Sequence, residues 1–194
     1  MDQDFSRSKL DHLRIEGARF TRCNFARAEL VESSMKGCSF TECDFMSARL
    51  TGAKLVRTAF MNCNVRGADL FGITFDECKL TGSSFPEADL TSATVNEGDW
   101  SYAGFRLADL RGLNLRRVRL MDADFQGAQL QKADLRDCDL TRASFANTRL
   151  KGADLRGANL DAINLKSLDV TGVRLDIAQA IQLARSYGAK VEME

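Results

Sequence analysis

The sequence predicts an all-β solenoid with four sides per turn, and three observations lead to this fold class. Every fifth residue from Phe5 to Leu175 is apolar, without a slip in register. A helix would rotate successive members of this series by about 140°, so they could not share one face. When the centres are grouped so that members of a group lie twenty residues apart, one group contains mostly phenylalanine (Phe5, Phe25, Phe45) and the next contains mostly leucine. Groups with a spacing of fifteen residues mix residue types. A period of twenty residues therefore predicts four sides.

Each five-residue unit supplies one side and one corner of the predicted coil. The residue two before each apolar centre is usually small, and two inward positions at this spacing are typical of a strand. The two residues after the centre are often Gly, Ser, Thr or Arg, which fit an outside turn. At about 4.8 Å per coil, residues 5–175 predict about eight to nine coils and a rod of roughly 41 Å.

The stretch "GADLRGANL" at residues 152–160 resembles the pentapeptide-repeat family, whose motif is A(D/N)LXX. The resemblance covers residues 5–175 and implies a right-handed quadrilateral β-helix. We therefore divide the chain into a β-helix over residues 1–175 and a C-terminal helix and strand over residues 176–194.

The tail after the repeat predicts a short α-helix and then a strand. Asp176 and Gln179 have the spacing of a capping box, and Gly188 is a typical helix stop. The alternation in "AKVEME", residues 189–194, indicates a strand. Such a tail either caps its own coil or joins two copies in an isologous dimer. The predicted dimerisation residues are Ile177, Ala180, Ile181, Leu183, Ala184, Tyr187, Val191 and Met193.

The cysteines have a spacing that indicates packing rather than chemistry. All six lie two residues before a centre, where a free cysteine acts as a small apolar residue. Metal-site spacing is absent, and His12 is the only histidine. No phosphate-binding loop or catalytic triad motif is found. We therefore predict no enzyme activity, no catalytic residue, no metal and no cofactor. The cysteines are Cys23, Cys38, Cys43, Cys63, Cys78 and Cys138.

The charges cancel overall but are unevenly distributed. Lys+Arg and Asp+Glu both number 27, whereas residues 67–105 carry seven acids and one base, and the following residues 106–119 carry five arginines and one acid. This acidic belt is either a partner-binding surface or a solvated segment without a role. The candidate partner-binding residues are Asp69, Asp76, Glu77, Glu87, Asp89, Glu97, Asp99 and Asp109.

The uninterrupted repeat followed by "GVRLDIAQAIQLARSYGAKVEM" resembles the fluoroquinolone-resistance pentapeptide-repeat proteins, the Qnr and MfpA group. The resemblance implies a tail-to-tail homodimer shaped like a bent DNA duplex. Such a dimer binds DNA gyrase, and often topoisomerase IV, in the saddle meant for DNA, and it inhibits the enzyme or protects it from quinolones or toxins. These mimics are usually acidic, so in this neutral chain the acidic belt is the expected contact.

The alternative function is that of a scaffold or adaptor that binds another protein through its solenoid faces. In either case we expect a cytoplasmic protein without direct binding to nucleic acid or membrane, because the net charge is zero and the apolar runs are short.

Overall fold

Parallel pairing between residues twenty positions apart builds the fold along most of the chain. The computed structural model describes residues 1–192. Bridges with this offset begin at Asp4 with Asn24 and continue to Asp154 with Arg174. The predicted right-handed quadrilateral β-helix with a short C-terminal helix is confirmed.

Regular strands occupy only part of the β-helix. They span about four turns, fewer than the eight to nine coils predicted, and single-residue bridges continue the same register beyond them. The first six strands have three residues each, whereas the last two have six because they run through a corner. The strands are β1 (Arg14–Glu16), β2 (Arg19–Thr21), β3 (Ser34–Lys36), β4 (Ser39–Thr41), β5 (Lys54–Val56), β6 (Ala59–Met61), β7 (Thr74–Lys79) and β8 (Thr94–Asp99).

The corners repeat one local geometry. The second residue after each centre from Phe5 to Leu160 has a left-handed backbone, as at Arg7 with φ 57°. At many corners the centre carbonyl closes the turn, as where the Ser8 N–H donates to the Phe5 oxygen at 3.1 Å. The side chain of the residue before the centre often stabilises the corner with a further hydrogen bond. Asp4 Oδ1, for example, accepts from the Ser6 N–H at 2.9 Å. Most of the aspartates before centres therefore have a structural role.

The centres and the small residues two before them fill the interior. Phe40, Phe45 and Phe105 are almost completely buried, as is Trp100. Aromatic rings from successive coils stack, with Phe25 and Phe45 centroids 4.8 Å apart at an interplanar angle of 4°. Like residues thus lie above like residues, which the twenty-residue period predicted.

The four sides are named here by their first centre. Face A carries Phe5 and each twentieth residue after it, face B follows Leu10, face C follows Ile15 and face D follows Phe20.

The ladder is interrupted on face C near the middle of the rod. β8 pairs with β7 on one side. On its other side only its last residue, Asp99, bridges the next coil, at Arg119, and residues 114–117 of that coil form no bridge to it within the described chain. The N–H groups of Val95 and Glu97 make no hydrogen bond to that coil among residues 1–192. One coil later, Leu115 and Arg117 make such bonds, at 2.8 and 3.1 Å. β8 therefore has an unpaired edge on face C, whereas its end on face D is paired through Asp99 and Arg119.

A helix closes the C-terminal end of the coil. A 3₁₀ turn (Leu165–Ser167) precedes α1 (Ile177–Ser186). The predicted capping box is present: Asp176 accepts from the Gln179 N–H at 2.9 Å, and Gln179 Oε1 accepts from the Asp176 N–H at 3.1 Å. Gln179 is buried and donates to the carbonyl oxygens of Leu155 and Ala158.

The predicted C-terminal strand is not formed over residues 189–192. Residues 189–192 have no strand pairing, and Met193 lies outside the described residues. An edge strand needs a neighbour, so a strand in this segment stays a prediction that depends on a second copy.

Candidate protein-binding surface

The structure distributes the acidic belt over all four sides instead of gathering it on one. Successive five-residue units lie on successive faces, so only residues about twenty apart come together. Asp69, Asp89 and Asp109 do so on face B, where each bridges the next. We call these three residues the acidic ladder.

Each carboxylate of the acidic ladder has one oxygen engaged with its own corner. Asp89 Oδ1 accepts from the Thr91 N–H at 2.9 Å, and Asp69 Oδ1 accepts from the Phe71 N–H at 3.1 Å. Asp109 also receives the Arg111 Nε at 2.9 Å, and this guanidinium lowers the pKa of the Asp109 carboxyl. Like charges stacked at about 4.8 Å repel one another. The ladder is therefore a line of negative charge parallel to the rod, partly compensated at one end.

A second acidic group lies at the corner of face C. Asp76, Glu77 and Glu97 line an open concavity, with Arg116 and Arg117 opposite them. Within residues 1–192, none of these three carboxylates is in an ion pair. The concavity lies where β8 has its unpaired edge.

The other two acids of the belt lie apart and are paired. Glu87 accepts from Arg66 at 2.8 Å near face A. Asp99 on face D accepts from the Ser101 hydroxyl at 2.7 Å and lies 3.8 Å from Arg119. The structure thus brings six of the eight predicted residues into two groups and leaves two outside them.

The predicted dimerisation residues fall on both sides of α1. Leu183 packs against the coil, so it belongs to the cap. Ile177 and Tyr187 are 81% and 64% exposed, and Ala180 is exposed too. Ile181, Ala184 and Val191 are half-buried. An apolar helix face thus points away from the chain that it caps.

The cysteines occupy the interior, as their spacing predicted. All six are buried and free. The Cys138 thiol donates to the Leu115 carbonyl oxygen at 2.9 Å. Burial raises the pKa of Cys78 to about 11 and that of Cys138 to about 12. The thiols of Cys78 and Cys138 therefore stay protonated at neutral pH.

Two further kinds of feature, a metal-binding cluster and a membrane-spanning helix, are not found among residues 1–192. Across residues 1–192, no three His, Cys, Asp or Glu side chains gather into a group that could hold a metal ion. No helix in the described part of the chain is long and apolar enough to cross a membrane.

Sequence reasoning missed two exposed side chains in the middle of the rod. Tyr102 and Leu107 are 57% and 62% exposed and lie at consecutive corners. Their position in the repeat could have revealed them, because the second residue after a centre is otherwise almost always polar or Gly.

Comparison with known proteins identifies the repeat. The family model described as pentapeptide repeats matches eight copies, over residues 4–42, 28–67, 68–99, 103–142 and 138–176. The chain belongs to the pentapeptide-repeat family. No curated protein matches it.

Solved structures with this fold span nearly the whole chain. A trypsin-treated variant of QnrB1, a plasmid-mediated fluoroquinolone resistance protein, has a TM-score of 0.62 and 23% identity, with 98% of each chain covered. Full-length QnrB1 has a TM-score of 0.61 and 20% identity, covering 97% of this chain and 98% of its own. HetL from the cyanobacterium Nostoc has a TM-score of 0.46 and 22% identity, with 89% of each chain covered. At these identities the similarity to QnrB1 confirms the predicted likeness at the level of the fold.

Proposed function

We propose that this pentapeptide-repeat protein is a non-enzymatic partner of a type II topoisomerase, DNA gyrase or topoisomerase IV, and occupies its DNA-binding surface as a DNA mimic. The outcome would be inhibition of the enzyme or its protection from quinolones or toxins. The acidic ladder is the observation that carries the proposal. It repeats negative charge at about 4.8 Å along a straight rod, against about 3.4 Å for phosphates along one DNA strand.

The fold supports the same proposal. QnrB1, which has the same fold along nearly its whole length, is a fluoroquinolone resistance protein. The exposed apolar face of α1 fits a tail-to-tail homodimer, which would double the length of the rod. A topoisomerase partner implies that the protein acts in the cytoplasm.

A specific observation favours the alternative, a scaffold or adaptor that binds another protein. Arginines neutralise part of the belt, since Arg66, Arg111 and Arg119 lie against Glu87, Asp109 and Asp99. Paired charges contribute little long-range attraction to a basic DNA saddle. A scaffold needs only local complementarity, for which paired charges are adequate.

Two assays distinguish the topoisomerase function from the scaffold function. A topoisomerase-binding protein at micromolar concentration should inhibit the supercoiling of relaxed plasmid by gyrase, or it should reduce drug-stabilised DNA cleavage by the enzyme. The double variant Asp69→Asn/Asp89→Asn should weaken the effect about tenfold, the equivalent of roughly 1.4 kcal/mol. Asparagine keeps the corner hydrogen bond, as Asn24 does for the Ala26 N–H.

The matched control is Asp44→Asn/Asp139→Asn, which makes the same charge change at the same repeat position on faces A and D. It should act like the unmodified protein. No effect of micromolar protein in either assay would eliminate the topoisomerase function and leave the scaffold function.

A further inference from the structure

One junction between two coils lacks main-chain hydrogen bonds along two of its four sides. The coil of residues 85–104 stacks on the coil of residues 105–124. Within residues 1–192, the N–H groups that the repeat directs from residues 87–97 toward the second coil make no hydrogen bond to it. They belong to Glu87, Leu90, Ser92, Val95 and Glu97. Asp89 and Asp109 keep the twenty-residue register, but the Asp109 N–H also lacks a bond across this junction. We call this gap on faces B and C the seam.

The other two sides of the same junction are closed. The Phe85 N–H donates to the Gly104 oxygen at 2.6 Å on face A, and the Trp100 N–H donates to the Arg119 oxygen at 2.8 Å on face D. One coil later, the N–H groups at the positions that are unpaired in the seam are all bonded, at 2.8–3.1 Å. They belong to Leu107, Leu110, Gly112, Leu115 and Arg117. The two parts of the rod are therefore joined through faces A and D at the seam.

Gly98 and Trp100 explain why the seam lies at this junction. Gly98 is the only glycine at an inward position two before a centre, and Trp100 is the only tryptophan. An added Cβ at Gly98 would collide with the Cys78 carbonyl oxygen and lie 3.2 Å from Trp100 Nε1. The φ of Gly98 is 140°, whereas Val118, at the same place one coil later, has no positive φ. The coil that accommodates Trp100 therefore has a corner that the next coil does not share.

The two lips of the seam carry opposite charges. The N-terminal lip has three acids and no base: Glu87, Asp89 and Glu97. The C-terminal lip has four arginines and one acid: Arg106, Arg111, Arg116, Arg117 and Asp109. In the described part of the chain, the one ion pair between the two coils is Arg119 with Asp99, 3.8 Å apart on the closed face D. Opposite charges thus lie on the two lips without pairing across the seam.

The apolar interior continues across the seam. Leu90, Leu110 and Leu115 are each 1% exposed. On faces B and C the two coils are therefore held together by side-chain packing, which is not directional, instead of by main-chain hydrogen bonds. Packing without directional bonds permits a change of angle, whereas the bonded faces A and D keep their spacing.

We propose that the seam is a hinge at which the rod bends. Faces A and D form its axis, and the corner between faces B and C opens or closes. Attraction between the lips favours the closed position, in which Glu97 and Arg117, at the same corner one coil apart, come together. The unlike corner at Gly98 opposes closing. The bend therefore responds to salt and to the charge of a surface that approaches the lips. This inference goes beyond the function proposed above and needs no partner.

Two pairs of spin labels test the hinge in the full chain. Val31→Cys/Lys151→Cys places both labels beside the corner between faces B and C, where the seam opens. Glu42→Cys/Ala162→Cys places both labels at the corner between faces D and A, along the axis. Each pair spans six coils, about 29 Å. The native cysteines are buried, so the labels attach to the introduced ones.

Electron paramagnetic resonance measures both distances at about 0.01 M and about 1 M salt, where the Debye length is about 30 Å and about 3 Å. Salt screens the attraction between the lips, so the distance between labels 31 and 151 should lengthen in 1 M salt. The distance between labels 42 and 162 should stay the same. An unchanged distance between labels 31 and 151, or an equal change in both pairs, would overturn the hinge.

Charge reversal at the seam tests the attraction between the lips. At low salt, Glu97→Arg puts like charges on the facing lips, so the distance between labels 31 and 151 should lengthen to its value in 1 M salt. The exchange Glu97→Arg/Arg117→Glu restores opposite charges and should restore the short distance. The control Glu16→Arg makes the same charge change four coils before the seam and should have no effect. A long distance in the exchanged variant, or lengthening in the control, would contradict the proposal.

Discussion

Stacked rings fill face A of the β-helix, and one residue interrupts the stack. Phe25 and Phe45 have ring centroids 4.8 Å apart, and Phe85 and Phe105 have centroids 5.3 Å apart. Val65 lies between these two pairs, and a small internal cavity is lined by Phe45, Val65 and Phe85 together with other apolar side chains. Atoms that line such a void lose dispersion contacts on one side. The interior is therefore underfilled at Val65.

Val65→Ile should stabilise the protein. The added methylene enters the cavity, so we expect the free energy of unfolding to rise by about 0.8 kcal/mol. Urea denaturation followed by circular dichroism measures the change. Val118→Ile is the control, because Val118 is fully buried and does not line this cavity. An added methylene at Val118 overpacks the interior and should lower the free energy of unfolding by about 1–3 kcal/mol. Equal changes in the free energy of unfolding for the two variants would show that the cavity does not affect stability.

Asp154 should make stability depend on acid pH. Its carboxylate lies 2.7 Å from Arg156, 3.2 Å from Arg174 and 3.9 Å from Arg136, and the hydrogen bond from Arg156 contributes most to lowering its pKa to about 2. A carboxyl whose pKa is depressed by folding adds stability above its unfolded pKa, about 3.9, and loses it as the pH falls through the folded value.

The variant Asp154→Asn tests this dependence. At pH 7 it should unfold more easily than the unmodified protein, by about 1–3 kcal/mol, and the difference should shrink between pH 4 and pH 2. Chemical denaturation at a series of pH values measures both. A difference that stays constant down to pH 2 would exclude the ionised carboxylate as its source.

At the scale of elements, the unpaired edge of β8 is the weak point of the ladder. Amide exchange is slow where hydrogen bonds open only by local or global unfolding. Val95 and Glu97 lack bonds to the next coil, so their amide hydrogens should exchange at least tenfold faster than those of Leu115 and Arg117. Residue-resolved hydrogen exchange by NMR measures the four rates in one sample. Equal protection would mean that the coil closes on face C in solution.

The repeat explains which elements could be predicted from the sequence. The side and corner of each unit follow from local chemistry: an apolar centre such as Phe45, a small inward residue such as Cys43, and a corner residue that tolerates positive φ. The capping box of Asp176 and Gln179 is equally local. All of these predictions needed only neighbouring residues and the period.

The interruption at β8 depends on geometry that a single unit does not contain. The Val118 N–H donates to the Leu115 oxygen at 3.0 Å and closes its corner, whereas β8 runs through the equivalent corner with φ 56° at Glu97 and φ 140° at Gly98. Two coils with different corners lose the ladder bonds between those corners, although Asp99 still bridges Arg119 with the twenty-residue offset. Neither unit alone contains this mismatch. The predicted strand at residues 189–194 has a similar limit, because an edge strand forms only where a neighbouring edge can pair with it.

The candidate site was predictable in part. The acidic belt is a cluster in the linear sequence, yet a four-sided coil places neighbouring units on different faces. Grouping the acidic residues by a spacing of twenty positions places Asp69, Asp89 and Asp109 together. The same grouping of corner residues would have singled out Tyr102 and Leu107.

At the scale of the whole molecule, α1 has two faces with different roles. Gln179 and Leu183 face the coil and close its end. Ile177 and Ala180 lie on the opposite side and are exposed. Exposed apolar residues on a terminal cap are typical of a surface that is covered in an assembly. We therefore expect two copies to associate through α1, related by a twofold axis.

Ile177→Glu/Ala180→Glu should convert the dimer to a monomer. Two carboxylates on each copy would face each other across the twofold axis, and they could not be buried without partners. The capping box and the contacts of Gln179 are untouched, and acidic residues in a first turn favour the helix. Light scattering at high protein concentration should give twice the chain mass of 21.5 kDa for the unmodified protein and the chain mass for the variant. Ala178→Glu adds a charge to α1 about 100° away from Ile177 and should stay dimeric. A chain mass of 21.5 kDa for the unmodified protein, or dissociation of both variants alike, would rule out this helix face as the interface.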